Sequence, residues 1–232
     1  MAATHRSSRG FTRQLEWQGR ANRVLVGGGQ VHKRREPPQP IIIERGEGSR
    51  IWDADGNEYI DYLMSFGPVV LGHAYPAVID AVASSVQRGN VFNVGHPLEI
   101  ELAEKLVEII PCADRVSYFV GGSDATSGAI KFARAYTDRE KVVRCGYHGW
   151  HDWCTPGRGL LAATRQYTLE MTYNDLDSLA DLFRSHPGEV ACVIFEATHE
   201  EVPRDGYLEG LVSLVHENGA LVIVDEVKTG FR

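Results

Sequence analysis

The run Val190-Ala191-Cys192-Val193-Ile194-Phe195-Glu196 places six apolar residues in a row and closes them with a carboxylate. A half-buried strand alternates apolar with polar side chains, whereas an uninterrupted apolar run suits a strand covered on both faces. The next apolar pattern, over residues 208–218, has the 3.6-residue period of a helix. It leads into Ala220-Leu221-Val222-Ile223-Val224-Asp225, a second apolar run ending on an acid. Strand, helix and strand in this order form a crossover unit with parallel strands. Toward the N-terminus the alternation continues, with a strand over residues 115–120, a helix over 123–136, a strand over Lys141–Cys145 and a helix over 175–185. The predicted fold is α/β, a mainly parallel sheet with helices on both faces.

Further upstream the period changes. Ile41-Ile42-Ile43, Arg50-Ile51-Trp52 and Glu58-Tyr59-Ile60 are short β-prone runs separated by Gly46-Glu47-Gly48 and Asp55-Gly56, which predicts an antiparallel hairpin or three-stranded meander. Pro76 opens a helix with Val78, Ile79, Val82 and Val86 on one face and Gly89 at its end. A second helix follows Pro97, with Leu102, Ala103, Leu106, Val107 and Ile110 along one side. Residues 146–174 form a long connection rich in His, Trp, Gly and Thr, and compact domains keep loops of that length for function.

A chain of 232 residues that is 43% hydrophobic and 24% charged can bury a core, which excludes disorder for its bulk. Its apolar stretches fall far short of the roughly 18 residues a membrane span requires, so no membrane is expected. The net charge of −7 is unevenly spread. Arg6, Arg9, Arg13, Arg20, Arg23, Lys33, Arg34 and Arg35 face Glu16 alone in the first 35 residues, and the remainder is strongly acidic. An acidic body is repelled by phosphate backbones, so nucleic acid is not an expected partner. The basic start, with Trp17 and Gly27-Gly28-Gly29, reads as an exposed segment packed on the protein rather than a targeting peptide. Cys112, Cys145, Cys154 and Cys192 contain no C-x-x-C pair; buried thiols of a cytoplasmic protein are expected, and no metal site.

In an open α/β sheet, ligands collect at the carboxyl ends of the strands. After residues 115–120 comes Gly121-Gly122-Ser123-Asp124-Ala125-Thr126, running into a helix. Glycines, a helix start and hydroxyls together make an anion cup, although a plain turn with Ser123 or Asp124 as helix cap accounts for the same residues. After Lys141–Cys145 comes Gly146-Tyr147-His148-Gly149-Trp150-His151-Asp152-Trp153, an aromatic cluster able to lie flat against a planar ring, or simply an aromatic corner. Glu196 and Asp225 close the two apolar strands, where an unpaired charge would be expensive, so a cationic partner is expected. Phosphate, flat ring and protonated ring nitrogen together describe pyridoxal 5′-phosphate (PLP).

With those residues in place, the sequence resembles the class III aminotransferases of fold type I, and among them the glutamate-1-semialdehyde aminomutase branch. The resemblance runs through residues 48–62, Ser65-Phe66-Gly67-Pro68, Leu71-Gly72-His73-Ala74-Tyr75-Pro76, Gly122-Ser123-Asp124-Ala125, Tyr147-His148-Gly149, Gly206-Tyr207-Leu208-Glu209-Gly210-Leu211 and Asp225-Glu226-Val227-Lys228-Thr229-Gly230-Phe231-Arg232. It implies that Gly122 and Ser123 bind the cofactor phosphate, that Tyr147 stacks on the pyridine ring with His148 beside it, and that Asp225 pairs with the ring nitrogen. Val227, two residues beyond Asp225 on the same strand face, would pack against the ring; Glu196 belongs to the same cofactor site, and Ser65 and Phe66 line the substrate pocket. Gly121 and Asp124 stand where the family cup usually has Ser and Glu. Glu196-Ala197 stands where Glu-Pro is common, followed by Thr198-His199-Glu200-Glu201. Lys33-Arg34-Arg35 falls near the place of a substrate-carboxylate arginine, but none is assigned.

The implied organisation is an N-terminal segment over residues 1–40, a β meander of the small domain over 41–74, and a PLP-binding large domain over 75–232, incomplete at its C-terminus. The implied activity is PLP-dependent transfer of an amino group to or from a small amino or keto substrate, or its migration within one, in a homodimer. Transamination needs a lysine to hold the cofactor and shuttle a proton. The resemblance puts that lysine beyond Arg232, so no catalytic residue is assigned and the chain is read as the N-terminal half of a longer enzyme. Lys228, the nearest to Asp225, would face the opposite side of a continuing strand. A catalytically silent chain that binds PLP or docks on a subunit is the alternative, and a nucleotide-binding domain is set aside for want of a G-x-G-x-x-G or Walker pattern.

Overall fold

The computed structural model describes residues 10–29, 41–155, 157, 159–198 and 201–231. Lys33-Arg34-Arg35, His199 and Glu200 lie outside the described residues. The chain divides into two compact units, Met1–Gly95 and His96–Arg232, which groups the helix at Pro76 with the meander, where the sequence reading starts the large domain at residue 75.

In the first unit, β1 (Ile43–Glu47), β2 (Arg50–Asp53) and β3 (Glu58–Ile60) form the expected antiparallel meander in the order β1-β2-β3. A helix that the sequence pattern did not announce, α1 (Thr12–Val24), is fastened to it. The helix brings no side-chain cap of its own; Asp55 supplies one from the turn, its carboxylate accepting from the Arg13 and Gln14 amides at 2.8 and 3.0 Å. Gln14 is buried, donating through Nε2 to Asp53 at 2.9 Å and accepting at Oε1 from the Ile42 amide at 2.9 Å. A mostly polar helix is thus held by a polar knot rather than by an apolar stripe. The following helix, α2 (Pro76–Val86), starts on its proline as predicted, but Val78, Ile79, Val82 and Val86 are about half exposed rather than packed.

In the second unit, α3 (Pro97–Ile109) carries a capping box in which the His96 ring accepts from the Leu98 amide and Glu99 returns to the His96 amide. Next come α4 (Gly122–Thr137), β4 (Lys141–Cys145), α5 (Ala162–Arg165), β5 (Thr168–Glu170), α6 (Leu176–Ser185), β6 (Val190–Glu196), α7 (Tyr207–Glu217) and β7 (Leu221–Asp225). The four strands pair in parallel in the order β5-β4-β6-β7. All seven residues of β6 are buried, because it is central. Val193 and Phe195 point toward α6 and α7 with Leu179, Phe183, Leu211 and Val215, while Cys192 and Ile194 point toward α4 with Ile130 and Ala133. Alternation persists in direction even though both directions are apolar, as a doubly covered strand requires.

Two expectations fail. Residues 115–120 are not a strand, since a strand exists only through partners and this segment pairs with none of the described strands. It is held by side chains instead: Tyr118 Oη donates to the Glu99 carbonyl at 2.8 Å, and the Phe119 ring fills the space that a side chain at Gly128 of α4 would occupy. Conversely, the long connection after β4 contains β5, whose three residues are too few to show a period.

Candidate active site

Parallel pairing sets Glu196 at the end of β6 directly beside Asp225 at the end of β7. Both carboxylates are buried, at the carboxyl edge where the sequence placed them. Neither turns to water. Asp225 Oδ2 lies 2.7 Å from His148 Nδ1, and Oδ1 accepts from the Val227 amide at 3.0 Å. The second ring nitrogen of His148, Nε2, is 2.9 Å from the carbonyl of Cys145. A carbonyl only accepts, so Nε2 is the donor in that contact, while Nδ1 meets the Asp225 carboxylate. His148 is therefore the hydrogen-bonding partner of the buried carboxylate. It is buried and stacked 6.2 Å from Trp153 at 9°.

Tyr147 is 70% exposed, leaving its ring face open. Its backbone is held from below, where Glu196 Oε2 accepts from the Tyr147 amide at 3.4 Å. Glu196 thus supports the loop. Gly146, at φ +108°, has no room for a side chain, since a Cβ there would stand 2.7 Å from Glu196 Oε2. Gly149, at φ +116°, is just as constrained, its Cβ position lying 2.3 Å from Ser123 Oγ. Glycine at these two places lets the loop after β4 lie on the first turn of α4.

The residues expected to form the cup fall on that first turn. Its cap position is Gly121, which has no side chain, and neither Ser123 nor Asp124 caps the helix, so the plain-turn explanation fails. Ser123 Oγ accepts from the Trp150 amide at 3.3 Å, which leaves its proton available to a ligand. A helix start without a side-chain cap offers amide donors and the positive end of the helix dipole, the chemistry that binds a phosphate. Gly122 contacts Val227, whose Cγ2 would lie 3.1 Å from a Cβ on Gly122. Val227 reaches this position from a turn, because β7 ends at Asp225; the shared strand face proposed for it, and the opposite face proposed for Lys228, do not exist.

Two residues to which motif reading gave no role of their own, Thr126 and Ser127, hold these parts together. Thr126 Oγ1, buried, is 2.8 Å from the His148 carbonyl and 3.1 Å from that of Ser123, tying loop to helix. Ser127 Oγ accepts from Trp153 Nε1 at 2.8 Å and meets His151 Nδ1 at 2.7 Å. The only sequence signal for these residues is that they stand three and four positions after Ser123, one turn further along α4. Burial pushes the Cys145 and Cys154 thiols up, and Cys192 to about 12, so these three cysteines are poor nucleophiles. Ser65 and Phe66 lie in the first unit, exposed on a left-handed turn.

The family model for aminotransferase class-III matches residues 31–232. The chain belongs to the class-III aminotransferases. Glutamate-1-semialdehyde 2,1-aminomutase of Chloroflexus aggregans is 40% identical over 212 residues, covering 83% of this chain and 48% of the relative. A 3-aminobutyryl-CoA aminotransferase of Cloacimonas acidaminovorans is 37% identical over 221 residues, covering 90% and 53%. Among solved structures, a transaminase with PLP bound superposes with a TM-score of 0.89 at 27% identity, covering 93% of this chain and 55% of its own. The chain spans about half the length of the curated relatives it matches.

Proposed function

We propose that this class-III chain binds PLP at the carboxyl edge of its sheet and serves PLP-dependent amino-group transfer between small amino and keto compounds. The observation that carries the proposal is the buried Cys145 carbonyl, His148 and Asp225 series. Each Asp225 oxygen retains a lone pair beyond the bonds described, and a buried carboxylate oriented by a histidine ring is suited to hold a proton on a pyridine nitrogen. The donor set fits the rest of the group: Gly122 and Ser123 would hold the phosphate, the open face of Tyr147 would cover the ring, and Val227 would pack beside Gly122. When bound, PLP supplies an electron sink for the carbon that carries the amine. The chain's own contribution is to fix the ring nitrogen, seat the phosphate and keep water from the buried side.

Transfer between two molecules and migration within one use the same cofactor residues, and relatives of both kinds match at 37–40% identity. The homodimer belongs to the proposal, supported by the half-exposed apolar face of α2. A cytoplasmic location is supported by four cysteines that form no disulfide. Titration with PLP, followed by quenching of tryptophan fluorescence, tests the site. Asp225→Asn is expected to weaken binding at least tenfold, and equal affinity in the variant and the parent would rule out the assigned role.

A further inference from the structure

The first turn of α4 carries an acid of its own. Asp124 stands three residues after the cap position, Gly121, the place from which an acidic side chain ordinarily reaches back to the cap amide. In this helix no side chain caps the turn. One carboxylate oxygen, Oδ2, would lie 3.5 Å from a Cβ on Gly121, so the acid stands next to the cap. The other, Oδ1, is 3.7 Å from His151 Nε2. An acid in the first turn competes with a bound anion, since both are drawn to the same free amides and to the same positive end of the helix dipole.

The His151 ring is fixed from behind. Its Nδ1 meets Ser127 Oγ at 2.7 Å, and Ser127 accepts from the Trp153 indole at 2.8 Å. An indole only donates, so the hydroxyl keeps both its proton and a lone pair for the imidazole, and the contact is made whether Nδ1 accepts or donates. The backbone closes into a turn in which the His151 carbonyl accepts from the Cys154 and Thr155 amides at 3.0 and 3.1 Å. The Trp150 ring stands edge-on to the imidazole, 5.4 Å away at 64°. From this position Nε2 faces Asp124, and all of these residues belong to the second unit.

We propose that His151 is a positioning residue for the phosphate end of the cofactor: it draws the Asp124 carboxylate off the cap amides and so keeps the turn open to an anion. This rests on the reading that the first turn of α4 receives the phosphate. Without the ring, Asp124 would fold back on the Gly121 amide as half of a capping box and occupy a donor that the phosphate needs. His151 itself touches neither cofactor nor substrate and acts through Asp124.

Pyridoxamine 5′-phosphate and pyridoxamine differ only in the phosphate, and neither condenses with a lysine. Calorimetric titration of the chain with each reads the turn directly and needs no turnover. The parent should prefer the phosphorylated compound. His151→Ala should reduce that preference about fivefold, the scale of one cap interaction, with pyridoxamine bound as by the parent. Ser127→Ala, which frees the ring without removing it, should shift the preference the same way by a smaller factor. Asp124→Ala should bind the phosphorylated compound at least as well as the parent, and the double variant Asp124→Ala/His151→Ala should regain the parent's preference. A histidine that merely packs the loop could not be rescued by removing Asp124. An unchanged preference in His151→Ala, a parallel loss of pyridoxamine, or a loss that persists in the double variant overturns the inference and leaves the phosphate reading standing. A parent without preference for the phosphorylated compound removes the phosphate reading, and the inference falls with it.

Discussion

Asp53 shows how much a single side chain carries in this protein. It accepts hydrogen bonds from Gln14, Tyr59, Asn57 and the Asp55 amide, joining α1 to the meander. Burial pushes its carboxyl up, but the hydrogen bonds from Tyr59, Asn57 and Asp55 outweigh this and leave it below the ordinary 3.8. Asp61 is lowered too, first by the hydrogen bond from His73 and then, against burial, by the Met64 and Leu63 amides. A lowered folded-state value means that the unfolded chain binds protons more readily. The stabilisation is therefore complete above 3.8 and is lost as pH falls below it through the folded value. Thermal melting of the parent should fall steeply below that pH, and Asp53→Asn should melt lower at neutral pH with a shallower acid dependence. An unchanged slope in the variant would remove Asp53 from the account. Neither Asp53 nor Asp61 advertises this role in its local sequence, because their partners Gln14 and His73 lie 39 and 12 residues away.

Among the elements, those legible beforehand were the ones whose pattern is local. β4 and β6 coincide with the predicted strands, and α4, α6, α7 and β7 differ from expectation by about a residue at their ends, because the apolar period and the turn residues are contained within each segment. The unpaired 115–120 segment and the unannounced β5 are the reverse case, since membership of a sheet is decided by what lies alongside. The loop after β4 combines both. Its glycines and aromatics marked it as functional, yet its path over α4 depends on Thr126, Ser123 and Glu196, which are distant in sequence. Gly149→Ala should therefore act on two elements at once, adding strain at positive φ and pushing against Ser123. A loss of about 1–3 kcal/mol is expected from the shift in urea midpoint, together with weaker PLP binding. A variant with the parent's midpoint and affinity would show that the loop has room to spare.

At the scale of the molecule, one exposed helix face is apolar. α2 exposes Val78, Ile79, Val82 and Val86 along one side, a pattern that normally lies against a partner. The proposed homodimer accounts for it, and Val82→Lys should shift the protein toward the monomer in sedimentation velocity without lowering its helical content. Retention of the parent's association state would separate α2 from assembly. Composition excluded disorder, the run of apolar strands ending on acids established a parallel α/β sheet, and the order of motifs established the family. Those properties are legible because they depend on neighbours along the chain. Whether Asp225 meets a side-chain partner, whether Val227 stays on a strand, and whether Ser65 and Phe66 take a left-handed turn were settled only when distant residues came together. A buried charge or a strained backbone is stabilised by whatever fills the space around it, and His148, Gly122, Asp61 and His73 fill that space from elsewhere in the chain.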